Sequence, residues 1–416
     1  MPKITSSVLR NGLPLHRIAM EGTGSVTLMV AFDAGARAEQ PQENGMAHFL
    51  EHLVFKGGEK YGDYRAINEA AERAGAVLNA YTSHDLVAFH ITARATKGPQ
   101  AADLLTDFVA RPALDPEELD KERGVVVQEI ARYDDQPASV ASQLIDEAAF
   151  GDHPLGRSVL GPAEHLAKTF TREGIIAFRE RRWAPSRGAA LLVGNLDALA
   201  GPEIDELFER FEPFPAGEAF TPAPPFHPRV LVTERDSNQS HLRISYRPAI
   251  DVTDPAQRAA LTIYSTLLGG SMGSRLFDEI REQRGLCYSV SSYPHSHADV
   301  PVLQLSAGLE SGKCVEAFTR MNEIVTELRT QGPTEAEVER ARAYAAGAHA
   351  IAFESSGTIA RTAATQAIVF RQPVDPGAAI TALDSVTFEQ VREVAATIST
   401  EFSVACVGPH SLADFS

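Results

Sequence analysis

The chain has 416 residues, more than one hydrophobic core normally holds, so we expect two to four domains. With 44% hydrophobic and 22% charged residues, its composition is that of an ordinary globular protein. The formal net charge of −17 argues against non-specific binding to nucleic acid as its function.

The first seven residues have no apolar core followed by a cleavage site, and no run of 18 apolar residues occurs anywhere in the chain. We therefore expect neither a signal peptide nor a membrane span. Three cysteines without a C-x-x-C pair indicate a reduced, cytoplasmic protein and exclude a cysteine-based zinc site.

The first clear strand is predicted at Ser25–Phe32, and a helical segment follows it around His48–His52. Positions four apart on a helix lie about 40° apart around its axis, so the two histidines can reach one metal ion. Glu51 lies on the same side, about 60° away, within reach of a water molecule at that ion. This H-x-x-E-H arrangement is an inverted zinc-protease motif, and a catalytic zinc site needs a third ligand from elsewhere.

A second helix is predicted to begin at Pro116, with Asp115 as its N-cap. Glu122 and Glu129 are seven residues apart in it, so they lie on nearly the same face, two turns apart. Glu129 is the natural third ligand, and Glu122 is the carboxylate that would support it. On their own, two such glutamates more often belong to a solvated helix face.

The proline-rich segment 213–228 predicts a linker of extended backbone that divides the chain into two halves, residues 1–212 and 229–416. The order of elements repeats in both halves. A strand around residues 241–246 resembles the one at Ser25–Phe32, and a helix opening at residues 333–337 resembles the one at Pro116. This repeat of about 200 residues predicts duplicated α+β domains.

The segment Gly45–Gly57 closely resembles the zinc helix of the pitrilysin (M16) metallopeptidases, especially their short-chain bacterial processing-peptidase-like group. The 76 residues between His52 and Glu129 match the family spacing, as does the E-R-x-V-V-x-x-E-I context. Further matching segments are LNAYTS at 78–83, GDHPLG at 151–156, GGSMGSRLF at 269–277 and IREQRGLCYSV at 280–290.

The resemblance implies a clam-shell α+β fold of two homologous halves, each with two α+β domains whose antiparallel-rich sheets are flanked by helices. It implies one Zn²⁺ per chain held by His48, His52 and Glu129, with Glu122 supporting a ligand and Glu51 as general base.

It also implies roles for residues outside the metal ligands. Arg281 and Tyr288 would bind substrate carbonyls or the oxyanion, with Arg284 the less favoured arginine. Asn79 and Ala80 would pair with an extended peptide.

The function that the resemblance implies is a zinc-dependent endopeptidase acting on peptides or unfolded segments inside an enclosed chamber. We expect a homodimer whose sites combine the zinc half of one chain with the arginine–tyrosine half of the other. A heterodimer with a related subunit is the second possibility. The alternative function is a non-catalytic peptide-binding or scaffold subunit of a heteromeric processing complex.

Overall fold

The computed structural model describes residues 3–415, so the ends of the two predicted halves, Met1, Pro2 and Ser416, lie outside the described residues. Two compact units are present. Among the described residues, the first contains 3–130, 158–221 and 352–377, and the second contains 131–157, 222–351 and 378–415.

Each unit is built around one sheet. The strands of the first are β1 (Lys3–Val8), β2 (Pro14–Ala19), β3 (Ser25–Phe32), β4 (Val77–Thr82), β5 (Val87–Arg94) and β6 (Gly188–Gly194). Those of the second are β7 (Val230–Glu234), β8 (Gln239–Tyr246), β9 (Cys287–Ser296), β10 (Pro301–Glu310) and β11 (Phe402–Gly408).

Thirteen α-helices occur within residues 3–415. They are α1 (Met46–Val54), α2 (Tyr64–Ala74), α3 (Gly98–Ala110), α4 (Pro116–Asp134), α5 (Pro137–Phe150), α6 (Arg172–Arg182), α7 (Pro202–Phe208), α8 (Pro255–Ser265), α9 (Cys314–Gln331), α10 (Glu335–Ala352), α11 (Ser356–Ala364), α12 (Pro376–Asp384) and α13 (Phe388–Thr397). None of the helices in this part of the chain is long and apolar enough to cross a membrane.

The two sheets share one topology. The first has the order β1-β2-β6-β3-β5-β4 and the second β7-β11-β8-β10-β9, so β2, β3, β4, β5 and β6 correspond in turn to β7, β8, β9, β10 and β11. The pair β2–β6 and its counterpart β7–β11 are parallel, whereas every other pair is antiparallel. The predicted α+β class and the duplication are therefore confirmed.

With one sheet in each unit, the described residues contain one α+β domain per unit, where two per half were expected. The reason lies in the size of the sheets. Sheets of five and six strands with flanking helices use the whole length of each repeat, and domains of 100–200 residues are common.

Each unit contains a helix that comes from the other half of the sequence. Helix α5 packs on β11 and β8 of the second sheet, where the Ser403 hydroxyl donates to the Ala148 carbonyl. Helix α11 packs on β6 and β3 of the first sheet, where the Ser356 and Thr27 hydroxyls are 2.8 Å apart. Because helices cover both faces of the first sheet, β6 is buried along its whole length and reads as a continuous apolar run.

Residues 212–229 form no helix or strand, and the unit boundary between Thr221 and Pro222 lies inside the predicted linker. The division of the chain into two functional halves at this segment stays a prediction.

Gly45 directly precedes helix α1 and needs a backbone conformation that favours glycine. It is the N-cap of α1 in the left-handed region, with φ 97°, and an added Cβ would lie 2.6 Å from the Leu160 carbonyl oxygen. We expect Gly45→Ala to lose about 1–2 kcal/mol of stability from backbone strain alone, and more from the clash.

The matched control for this prediction is Gly22→Ala, because Gly22 has φ 75° but nothing within 4 Å of the added Cβ. Thermal unfolding should show a clearly larger loss for Gly45→Ala. Equal losses in the two variants would contradict the contact at Leu160.

Candidate metal centre

Helix α1 is amphipathic, and its apolar face fixes the direction of its histidines. Phe49, Leu50 and Leu53 are at most 1% exposed and pack into the core of the first unit. His48, Glu51 and His52 lie on the rest of its surface, as the spacing predicted.

Glu39 caps the start of α1. Its carboxylate accepts from the backbone N–H groups of Ala47 at 2.7 Å and Gly45 at 3.0 Å, and from the Asn44 side chain at 3.2 Å. No side chain of the N-cap residue serves this end of the helix. Glu39 therefore supplies the acceptors that the first helical turn lacks and sets where α1 begins.

Helix α4 carries the two glutamates. It begins at Pro116 as predicted, and Asp115 Oδ1 accepts from the N–H groups of Glu117 and Glu118. Glu122 lies on the buried stripe of this helix with Leu119, Val126 and Ile130, while Glu129 is partly exposed.

Three ligand atoms converge between α1 and α4. The Nε2 atoms of His48 and His52 lie 3.8 Å and 3.3 Å from the same oxygen, Glu129 Oε2. A tetrahedral ion with bonds of about 2.1 Å holds two ligands about 3.4 Å apart. Within the part of the chain that is described, these residues form one of two clusters able to hold a metal ion, and their donor set fits Zn²⁺.

Glu122 orients one of the imidazoles. His52 Nδ1 lies 2.9 Å from Glu122 Oε1, while the Lys56 ammonium lies 2.5 Å from Glu122 Oε2. This carboxylate contact leaves His52 Nε2 as the ligand atom. Burial alone would lower the pKa of His52 and raise that of Glu122. The hydrogen bond between the two side chains acts against burial, and the pKa of His52 is raised. The same hydrogen bond, together with the ion pair to Lys56, lowers the pKa of Glu122.

His48 is set differently. Burial, together with the nearby His52, lowers the pKa of His48 to about 4, so its ring is neutral and ready to bind a metal at neutral pH. Its buried Nδ1 has no hydrogen-bond partner among residues 3–415, unlike that of His52.

Glu51 lies beside the ligands. Its Oε2 accepts a hydrogen bond of 2.6 Å from the Thr82 hydroxyl at the end of strand β4. Burial raises the pKa of Glu51, against the opposing effect of that hydrogen bond.

Strand β4 forms an open edge of the first sheet, and it contains Asn79 and Ala80. On its inner side these residues are in register with His90 and Phe89 of β5. The Ala80 amide donates to Asn79 Oδ1 at 2.8 Å.

Arg281 and Tyr288 belong to the second unit. Arg281 lies in a π-helical segment, Phe277–Gln283, and its guanidinium is 4.7 Å from the Phe277 ring centre and 5.7 Å from that of Tyr288. Tyr288 is 84% exposed at the start of β9. The alternative arginine, Arg284, lies 3.5 Å from Glu316.

Three contributors to the metal centre escaped the sequence reasoning: Glu39, Lys56 and Thr82. Thr82 stands in the quoted segment 78–83, but only the packing of β4 against α1 shows that it contacts Glu51. The exclusion of a cysteine-based zinc site stays a prediction, although Cys314 and Cys406 lie close to His410 in the second unit, which their spacing in the sequence did not indicate.

Comparison with known proteins identifies the family. The model described as Insulinase (Peptidase family M16) matches residues 18–163, and the model described as Peptidase M16 inactive domain matches residues 169–344. The chain belongs to peptidase family M16. The first of these M16 matches contains all three candidate ligands, and the second contains Arg281 and Tyr288.

Relatives in the M16 family match over nearly the full chain. The zinc protease YmxG of Bacillus subtilis, described as uncharacterized, is 29% identical over 92% of this chain and 93% of its own length. A Streptomyces coelicolor protein of the same description is 28% identical over 98% of this chain and 90% of its own.

Solved structures share the fold. A peptidase M16 inactive domain from Pseudomonas fluorescens has a TM-score of 0.88 at 20% identity, covering 98% of this chain and 99% of its own. A protease from Helicobacter pylori has a TM-score of 0.85 at 21% identity, covering 98% and 100%.

Replacing Glu122 should weaken metal binding without removing a ligand. Glu122→Gln loses the charge that orients His52, and we expect a 10–100-fold lower zinc affinity in a chelator competition. Glu117→Gln, on an exposed position of the same helix, should leave the affinity unchanged. Equal affinities for both variants would contradict the orienting role.

Glu39 should make stability depend on pH. Burial raises its pKa to about 8, against the opposing hydrogen bonds from Ala47 and Gly45. The folded state therefore binds this proton more tightly than the unfolded state, so its contribution to stability falls as pH rises from about 4.5 to about 8.

The Glu39→Gln variant should lack that part of the pH dependence. The measurement compares thermal midpoints of wild type and variant across this range, with the exposed Glu21→Gln as control. If the thermal midpoints of wild type and Glu39→Gln differed by the same amount at every pH, titration of the buried Glu39 would be contradicted.

Proposed function

We propose that this protein is a zinc-dependent endopeptidase that hydrolyses peptides or unfolded segments within an enclosed chamber. The observation that carries the proposal is the convergence of His48 Nε2 and His52 Nε2 on Glu129 Oε2, with the Glu51 carboxylate beside them. The names of the relatives as zinc proteases support the same metal.

One Zn²⁺ per chain would be held by His48, His52 and Glu129. When bound, zinc supplies a Lewis acid that polarises the scissile carbonyl and activates a water molecule for attack. A neutral His48 and a His52 oriented by Glu122 suit this role.

Glu51 serves as the general base. Its carboxylate takes the proton of the attacking water and passes it to the leaving amine. The Thr82 hydroxyl fixes Oε2 of this carboxylate, which leaves Oε1 to receive the proton. Burial raises the pKa of Glu51, and a base with a pKa closer to neutrality transfers protons in both directions more readily.

The peptide would bind by strand addition at β4. An open edge strand offers backbone hydrogen bonds to an extended peptide, so recognition depends more on backbone than on side chains. The Ala80 amide would exchange its bond with Asn79 Oδ1 for a peptide carbonyl.

Arg281 and Tyr288 complete the proposed site by donating to substrate carbonyls or to the oxyanion. We place the active form as a homodimer in which these two residues and the zinc ligands come from different chains. The proposed compartment is the cytoplasm, where the three free thiols of the chain stay reduced.

A second function, a non-catalytic peptide-binding subunit, is favoured by the description of the model over residues 169–344 as an inactive domain. The two functions differ in one result. An endopeptidase cleaves peptides as the purified, zinc-loaded protein, whereas a binding subunit retains peptides and zinc without cleavage.

The Glu51→Gln variant tests the general base. We expect it to keep its zinc and to lose about 10²–10⁴-fold in kcat/KM on a quenched fluorescent peptide library, the range a general base contributes. Glu72→Gln, on the exposed side of α2, is the control. Undiminished cleavage by Glu51→Gln would remove Glu51 from the mechanism.

Shared sites make a prediction about mixed dimers. Glu51→Gln and Tyr288→Phe should each be inactive alone, because one lacks the base and the other the hydroxyl of the oxyanion donor. Co-expressed chains should regain about a quarter of the wild-type sites, since half the dimers are mixed and each holds one intact site. No recovery would show that each site comes from a single chain.

A further inference from the structure

Three metal-binding side chains meet in the second unit, outside the residues of the proposed active site. Cys314, Cys406 and His410 each offer a ligand atom, and these atoms lie within 4.8 Å of one another. Cys314 is the first residue of α9, Cys406 lies on β11, and His410 follows the end of that strand. Two thiols and an imidazole form a soft donor set.

The cluster is shielded from water. Both cysteines are 0% exposed within the core of the second unit, and 7% of the His410 side chain is exposed. The Phe415 ring packs edge-on against His410 at 5.6 Å between ring centres. In such surroundings a metal–thiolate bond is protected from competing water.

Backbone dipoles at this position favour negative charge. Cys314 lies in the first turn of α9, an 18-residue helix whose N-cap residue, Lys313, makes no side-chain hydrogen bond to the helix. The N–H groups of that turn therefore stabilise a thiolate at the helix start. A bound cation provides the remaining compensation that two buried thiolates need.

Both ring nitrogens of His410 have a polar group nearby. Its Nε2 lies 2.7 Å from the Ser240 hydroxyl, and its Nδ1 lies 4.0 Å from Asp414 Oδ2. At 4.0 Å the Asp414 carboxylate lies beyond hydrogen-bond distance, so the direct polar contact of the ring is the one with Ser240. The Ser240 hydroxyl holds Nε2 in the metal-free form and is a neutral group that a cation can displace.

We propose that Cys314, Cys406 and His410 bind a thiophilic d¹⁰ cation, Zn²⁺ or Cu⁺, as a structural site that ties α9 to β11. Each thiol gives up its proton on binding. In the metal-free protein, the hydrogen bond that the Cys406 thiol donates to Cys314, together with burial, raises the pKa of Cys406. Because binding removes the thiol protons, it should weaken as pH falls.

The test uses the full-length His48→Ala/His52→Ala variant, which lacks the ligands of α1 and keeps the three cysteines. After chelation and reduction, this variant should take up about one Zn²⁺ per chain, against about two in the wild type. With Co²⁺ as the probe, it should show a thiolate-to-metal charge-transfer band in the near ultraviolet.

Cysteine variants in this background assign the site. Adding Cys314→Ser should abolish the charge-transfer band and the bound zinc, whereas Cys287→Ser, which changes the one cysteine outside the cluster, should keep both. If Cys314→Ser fails to fold, the presence or absence of the charge-transfer band in the His48→Ala/His52→Ala variant with all cysteines intact still tests the proposal. No band and no zinc with reduced cysteines would overturn the proposal, as would a band that survives Cys314→Ser.

Discussion

The candidate active site depends on one contact between two helices. Helix α4 has to lie against α1 so that Glu129 Oε2 reaches the imidazoles of both His48 and His52, although 76 residues separate Glu129 from His52. The stripe of α4 that makes this approach is apolar except at Glu122, which is buried beside His52 and Lys56. A buried carboxylate is tolerated there because both of its oxygens have cationic or imidazole partners.

Polar contacts around this pair of helices fix the start of α1 and the orientation of two side chains, which apolar packing alone does not determine. Glu39 sets where α1 begins, Glu122 sets the ring of His52, and Thr82 sets the carboxylate of Glu51. Each acts through a hydrogen bond of 2.6–2.9 Å, which is buried at Glu39 and partly buried at Glu122 and Thr82. The candidate ligands are therefore held in position without a metal ion, which would lower the cost of ordering them on binding.

Of the two duplicated units, only the first has the candidate histidine ligands on the helix after its central strand. In the first unit, α1 follows β3 and holds the histidines; in the second, the helix that follows β8, the counterpart of β3, is α8. The sequence of α8, PAQRAALTIYS, contains no histidine, cysteine or carboxylate, so its position in the repeat serves the core instead. Duplication has preserved the architecture, whose apolar patterns remain in both units, without preserving the ligands.

Sequence patterns predicted the features that have local causes. The strand at Ser25–Phe32, the start of α4 at Pro116 and the helical spacing of His48 and His52 follow from periodicity and capping within a few residues. The packing of α5 on the second sheet and of α11 on the first has no local cause, because it depends on which face of each sheet no other helix covers. For the same reason, the Thr82–Glu51 bond and the meeting of Cys314 with Cys406 could not be predicted.

Anomalous diffraction at the zinc edge, from crystals of the zinc-loaded protein, locates the ion and its ligands directly. We expect a peak about 2.1 Å from His48 Nε2, His52 Nε2 and a Glu129 oxygen, with Glu51 outside bonding distance. A zinc-loaded crystal with no peak between α1 and α4, or with Glu51 in place of Glu129 as ligand, would contradict this expectation.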